Sequence, residues 1–239
     1  MQSHGFDVLV EDEHVLGVAK PSGIPTQAPP GIESLETRIK SYLAPAGTEP
    51  GALYLGIPHR LDRPASGAMI FAKTRRAARN LAKQFERRRV RKVYWACVAG
   101  DVAPASGTWT DHLCKIYGQP KAMVVAGDHP SAQHAVLHYR TIGRHRHGSW
   151  LEIELETGRT HQIRIQAASR GHVILGDTHY GGEISFGPAY DDLRLRPIAL
   201  HARELEFLRP VSREPTVLVA EVDDNWQDIG LERFACEVR

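Results

Sequence analysis

Apolar positions along this chain recur at two spacings, and the switches between them outline its elements. Residues 6–10 and 15–19 read as short strands around an acidic turn, Glu11-Asp12-Glu13. Lys20-Pro21-Ser22-Gly23 then opens a proline-rich loop that runs to Pro30 and Gly31. Residues 34–43 carry helical spacing and are closed by Pro45 and Gly47. The apolar run 69–72 predicts a strand. Thr74 is placed to cap the helix that follows, whose apolar positions Ala77, Ala78, Leu81, Ala82 and Phe85 fall at helical spacing. Strand character returns over 90–98, 135–142 and 150–155, the last two joined across a turn at 143–149. Residues 162–169 predict a short helix, and 198–207 and 216–222 predict strands. Short strands mixed with a few helices, without regular strand–helix alternation, predict an α+β fold over a doubly wound sheet. No internal repeat or linker interrupts the chain, so residues 1–239 read as one domain.

Composition narrows the class. With 239 residues, 42% hydrophobic and 24% charged, the chain can bury a full core. No stretch approaches the roughly 18 uninterrupted apolar residues of a membrane helix. Met1-Gln2-Ser3-His4 lacks the basic-then-apolar pattern of a secretory leader. Cys97, Cys114 and Cys236 are odd in number and far apart, which implies no disulfide framework. These features predict a protein of the reducing cytoplasm.

The net charge of +2 hides an uneven distribution. Between His59 and Lys92 stand twelve Lys or Arg against only Asp62 and Glu86, whereas seven acidic residues face three arginines from Val211 to Arg239. Arginine supplies 23 of the 30 cations, and its planar fork suits bidentate phosphate contact. Such a patch suits a polyphosphate ligand as well as it suits a solvated helix face. Arg75, Arg76, Arg79, Lys83 and Arg87 line the polar side of the predicted 75–86 helix.

Three segments carry candidate chemistry. In Pro58-His59-Arg60-Leu61-Asp62-Arg63-Pro64-Ala65-Ser66-Gly67, an aspartate lies between two arginines ahead of a proline and a Ser-Gly turn. Neighbouring cations favour an ionised carboxylate, as a nucleophile or base requires, and also as a surface ion pair would. In Arg91-Lys92-Val93-Tyr94-Trp95-Ala96-Cys97-Val98-Ala99-Gly100, strand alternation puts Tyr94 and Ala96 on one face. Tyr94 is then either half-buried packing or a platform for an extruded base, worth roughly 1–3 kcal/mol in stacking. In Glu156-Thr157-Gly158-Arg159-Thr160-His161-Gln162-Ile163-Arg164, five donors crowd into six residues after a glycine turn. Metal ligation is the rival reading, but His134 and His138 sit four apart on a segment that reads as strand, and no cysteine pair is present. No phosphate loop or Gly-x-Gly-x-x-Gly motif occurs, so no nucleotide cofactor is expected.

Taken together, these segments resemble the signature of the RluA-type pseudouridine synthases. His59-Arg60-Leu61-Asp62 with Ser66-Gly67 is similar to the motif around that family's catalytic aspartate. Lys92 and Tyr94, with Ala96, Val98 and Gly100, resemble its second motif, and Gly158 to Arg164 its third. Lys20-Pro21-Ser22-Gly23, Gly176-Asp177 before Tyr180-Gly181, and Leu200-His201-Ala202 before Phe207 and Pro210 resemble further landmarks, in order, over about residues 8–210. There are two departures. Position 65 is alanine where the family usually has threonine, and no room remains for the small N-terminal RNA-binding domain of many relatives.

The resemblance implies a mixed, mostly antiparallel sheet with flanking helices and a basic cleft. It implies isomerisation of uridines in structured ribosomal or transfer RNA without a cofactor; no metal is expected from the ligand spacing, and a monomer is the default expectation. Asp62, Tyr94 and Arg164 would be catalytic, with Arg164 paired to Asp62. Arg60, Arg63, Arg75, Arg76, Arg79, Lys83, Lys92, Arg159, His161 and Gln162 would hold RNA. An RNA-binding or RNA-folding factor on the same scaffold is the alternative.

Overall fold

A computed structural model describes residues 4–234. Met1 to Ser3 and Cys236, read above for leader character and redox state, lie outside them. In chain order the described residues form β1 (Asp7–Glu11), β2 (Val15–Lys20), α1 (Leu35–Leu43), β3 (Ser66–Ala72), α2 (Arg75–Glu86), β4 (Arg91–Ala99), β5 (Ser106–Lys115), β6 (Ala122–Val125), β7 (Gln133–His145), β8 (Gly148–Leu155), α3 (Gln162–Ala168), β9 (Leu200–Leu208), β10 (Pro215–Val219) and β11 (Glu232–Arg233). They fall into two compact units. The first holds residues up to Lys92 with Asp192–Leu195 and Ala202–Val222; the second holds Val93–Asp191, Arg196–His201 and the residues from Asp223 onward.

In the first unit the strand order is β1-β2-β3-β9, with β10 on β9. The β1–β2, β2–β3 and β9–β10 ladders are antiparallel. All seven residues of β3 are buried, which explains why it reads as an apolar run without alternation. Its Ile70 forms a core with Val15, Leu81, Val90, Phe207 and Leu218. Burial of side chains of this size contributes roughly 1.5–3 kcal/mol each. The cap expected at Thr74 is present, and α1 has one that the sequence reading did not name. Ser34 forms a capping box with Thr37, and Thr74 Oγ1 accepts from Ala77 N at 3.2 Å. Helix α2 buries Ala77, Leu81 and also Gln84. That amide donates to Leu208 O at 2.8 Å and accepts from Leu208 N at 2.9 Å, so it satisfies both backbone polar groups at the end of β9.

In the second unit the order is β4-β8-β7-β5-β6, with β11 on β7. The β4–β8, β7–β8, β5–β7 and β5–β6 ladders are antiparallel. Trp95 meets Trp150 edge-on at 5.0 Å, and Trp109 tilts against Tyr139 at 4.6 Å. Strands β5 and β6 were not expected from the sequence. Only Trp109 and Leu113 are buried along the ten residues of β5, so its apolar signal is too sparse to read. The β7–β8 turn is also tighter than 143–149, because both strands run further into it. The α+β expectation stands, with mostly antiparallel sheet and three helices among the described residues.

Candidate active site

In the first unit, Asp62 is half-buried on irregular backbone between two residues that are themselves clamped. On one side, Thr26 Oγ1 donates to Leu61 O at 2.9 Å and accepts from Leu61 N at 3.2 Å. On the other, Arg63 O accepts from Gly23 N at 2.8 Å and from Lys20 Nζ at 3.3 Å. Lys20 Nζ also donates to Pro21 O and Ile24 O, both at 2.8 Å. The 20–26 loop therefore grips the backbone on both sides of Asp62. Ala65 N closes a turn onto Asp62 O at 3.1 Å, so the alanine at this position contributes through its backbone.

Entry and exit of this loop are fixed as well. His59 stacks on Phe85 of α2 at 4.6 Å, and its Nε2 accepts from Ile70 N at 3.0 Å. Burial, with the Lys92 cation adding to it, pushes the His59 ring down to about 3, so it stays neutral at ordinary pH. Gly67 leaves the loop at a φ of 119°, with its backbone pressed against that of Ala202; a side chain there has no room. Lys20 is 1% exposed. Burial, opposed by the Asp62 carboxylate and reinforced by Arg63, lowers its ammonium to about 7.

The expected RNA-binding cations of this unit have distinct surroundings. Arg60 is exposed and Arg63 half-buried beside Asp62. Arg75, Arg76, Arg79 and Lys83 are exposed on α2, with the Arg75 guanidinium 4.9 Å from the centre of the Tyr54 ring. Lys92 is half-buried, and burial followed by the Arg88 cation lowers its ammonium.

In the second unit Tyr94 is half-buried on β4, opposite Ile153 of β8. The Gly158 turn lies between β8 and α3, and its donors divide into bracing and presenting groups. Gln162 is buried; its Oε1 accepts from Thr157 Oγ1 at 2.8 Å and Arg159 N at 3.0 Å, while Nε2 donates to Val136 O at 3.0 Å. Its amide is thus occupied within the protein and holds the turn that presents Arg159. Arg159 Nε donates to His134 O at 3.0 Å. His161 takes the N-cap position of α3 in the left-handed region, at a φ of 54°.

Arg164 is 4% exposed. Its Nε and Nη2 donate to Asp177 Oδ2 and Oδ1 at 2.7 and 2.8 Å, and its guanidinium lies 5.2 Å from the centre of the Tyr180 ring. Tyr180 Oη accepts from Ala122 N at 2.9 Å and lies 2.9 Å from His161 Nδ1. Residue-type reasoning assigned no role to Asp177, Tyr180, Lys20 or Thr26. A signal for the first was available, since an aspartate inside Val173-Ile174-Leu175-Gly176-Asp177 is headed for burial and must find a cation.

Comparison with known proteins agrees with these observations. The family model described as RNA pseudouridylate synthase matches residues 14–169. The chain is 34% identical to an uncharacterized RNA pseudouridine synthase of Synechocystis over 232 residues, 95% of this chain and 69% of the relative. It is 36% identical to ribosomal large subunit pseudouridine synthase D of Xanthomonas campestris, covering 93% of this chain and 67% of that one. The solved structure of human RNA pseudouridylate synthase domain containing 4 superposes with a TM-score of 0.74 at 23% identity, covering 95% of this chain and 94% of that one. The chain belongs to the RNA pseudouridylate synthase family and has the pseudouridine synthase fold. It is an isomerase that acts on RNA.

Proposed function

We propose that this protein converts specific uridines of structured ribosomal or transfer RNA to pseudouridine, with Asp62 as the catalytic carboxylate. The observation that carries this reading is the family match over residues 14–169, which contains Asp62, Tyr94 and Arg164 together. Relatives named as ribosomal large subunit pseudouridine synthases favour ribosomal RNA. In the reaction, the bond from uracil N1 to ribose C1′ breaks, the base turns, and a bond from C5 to C1′ forms. N1 gains a proton and C5 loses one, so nothing is exchanged that would need a cofactor.

The target nucleotide must leave its stack to be reworked. Asp62 starts glycosidic cleavage, Tyr94 stacks on the freed base, and Arg164 positions Asp62. The grip of the 20–26 loop on Leu61 and Arg63 supports this reading, because a catalytic carboxylate gains from a backbone that does not move. Arg60, Arg63, Arg75, Arg76, Arg79, Lys83, Lys92, Arg159 and His161 contact RNA, and Gln162 braces the turn that carries two of them. The protein works as a monomer in the cytoplasm; among the described residues no helix is long and apolar enough to cross a membrane.

Pseudouridine mapping of total RNA by mass spectrometry, from cells lacking the gene and rescued with wild type or Asp62→Asn, tests this. One or a few sites should vanish without the gene and return only with wild type. Rescue by Asp62→Asn removes the aspartate from its role.

A further inference from the structure

Asp177 and Tyr180 both act on Arg164, and one short turn delivers them. Residues Thr178–Tyr180 form a 3-10 turn, with Tyr180 N donating to Asp177 O at 3.1 Å and Gly182 N to the same carbonyl at 2.9 Å. In this geometry positions three apart eclipse, so the acid and the ring project to the same side. The carboxylate then takes the edge of the guanidinium, whose carbon lies over the ring at 5.2 Å from its centre. The Tyr180 hydroxyl reaches further, to the backbone N–H of Ala122 and to His161 Nδ1. Ala122 is the first residue of β6, the last strand in this unit's sheet order, and it returns from a hairpin tip where Ile116 N donates to Lys121 O at 2.9 Å. Tyr117 at that tip is fully exposed, between Lys115 and Lys121.

We propose that Tyr180 is a positioning residue that couples the β5–β6 hairpin to Arg164 through its hydroxyl, so that the pose of the guanidinium depends on the place of the hairpin. This rests on the role given to Arg164 above. The coupling is one hydrogen bond long on each side. Ala122 N–H fixes the hydroxyl, the hydroxyl fixes the ring, and the ring sets the plane of a guanidinium whose edge Asp177 already holds. Displacement of β6 therefore tilts Arg164 without touching its ion pair.

Tyr180→Phe keeps the ring and removes the hydroxyl, while Ala122→Pro removes the donor on the other side at a strand-start position that tolerates proline. Each should lower kcat about tenfold, with KM for RNA within twofold and a native unfolding transition. The double variant should fall no further than Tyr180→Phe alone, because that change already removes the hydroxyl to which Ala122 N–H donates. The Arg164 Nε–H resonance should shift in both, which reads the coupling without turnover. Wild-type kcat in Tyr180→Phe, a rise in KM alone, additive losses, or an unmoved Arg164 resonance would each overturn the proposal. Asp62→Asn, measured alongside, separates the two readings. If it retains turnover while the Arg164 resonance still moves in Tyr180→Phe, the assignment of Asp62 fails and the coupling stands.

Discussion

Arg164 and Asp177 hold each other by two hydrogen bonds of 2.7 and 2.8 Å, with side chains only 4% and 1% exposed. Paired charges this deep need each other, since either one alone is left desolvated. Asp177→Ala should cost about 3–5 kcal/mol in urea unfolding. Adding Arg164→Met should recover part of that loss without restoring activity. If the single variant unfolds at the wild-type midpoint, water reaches Arg164 and the pair is not structural.

His59 makes stability depend on pH in a window set by its own shift. Its folded value of about 3 lies below the ordinary 6.5, so the unfolded chain takes up the proton first as pH falls. This contribution is complete above 6.5 and is lost toward 3, by about 1.4 kcal/mol per pH unit between those limits. His59→Gln removes the titration, and its unfolding free energy should fall less steeply across that window. Parallel pH profiles for the two proteins would show that the ring is open to solvent.

Thr26 holds both backbone polar groups of Leu61 with one hydroxyl. Thr26→Val keeps the shape and strands both groups at a buried position, which should cost about 1–3 kcal/mol for each group left unsatisfied. Because Leu61 precedes Asp62, kcat should fall with little change in KM. Steady-state kinetics on a target RNA, with unfolding midpoints measured beside them, separates this from simple destabilisation.

The exposed cations of α2 bear on RNA affinity. Replacing Arg76, Arg79 and Lys83 with alanine should weaken binding at every sequence tested. The slope of log affinity against log salt should flatten by about 0.7–0.9 for each phosphate no longer neutralised. Filter binding at several salt concentrations reads the slope directly, and an unchanged slope would place the RNA elsewhere.

Much of this fold was legible because its signals are local. The Thr74 cap and the apolar face from Ala77 to Phe85 marked α2, and helical spacing closed by Pro45 and Gly47 marked α1. Strand β5 was not legible, because eight of its ten positions carry no buried side chain. The candidate site divides the same way. Asp62, Tyr94 and Arg164 stand in recognisable segments, whereas the apolar run before Asp177 announces its burial but not its partner, which stands 13 positions earlier. Lys20 is a harder case, since a lysine closing an apolar strand ordinarily turns to water. Here three carbonyls, one of them 43 residues away, keep it inside.

The order of synthesis gives the first unit's sheet a particular history. Strand β3, buried along its whole length, has β2 on one side and β9 on the other, and β9 is made more than a hundred residues after β3. Until Leu200–Leu208 leave the ribosome, one edge of the most apolar strand has no partner, and Gly67 lacks the Ala202 backbone against which it packs. The growing chain thus presents an open, sticky edge for most of its elongation. The loop bearing Asp62 acquires its final exit only once residue 208 is out. The activity of the protein is born late, and the chain most needs chaperoning over the stretch between these two strands.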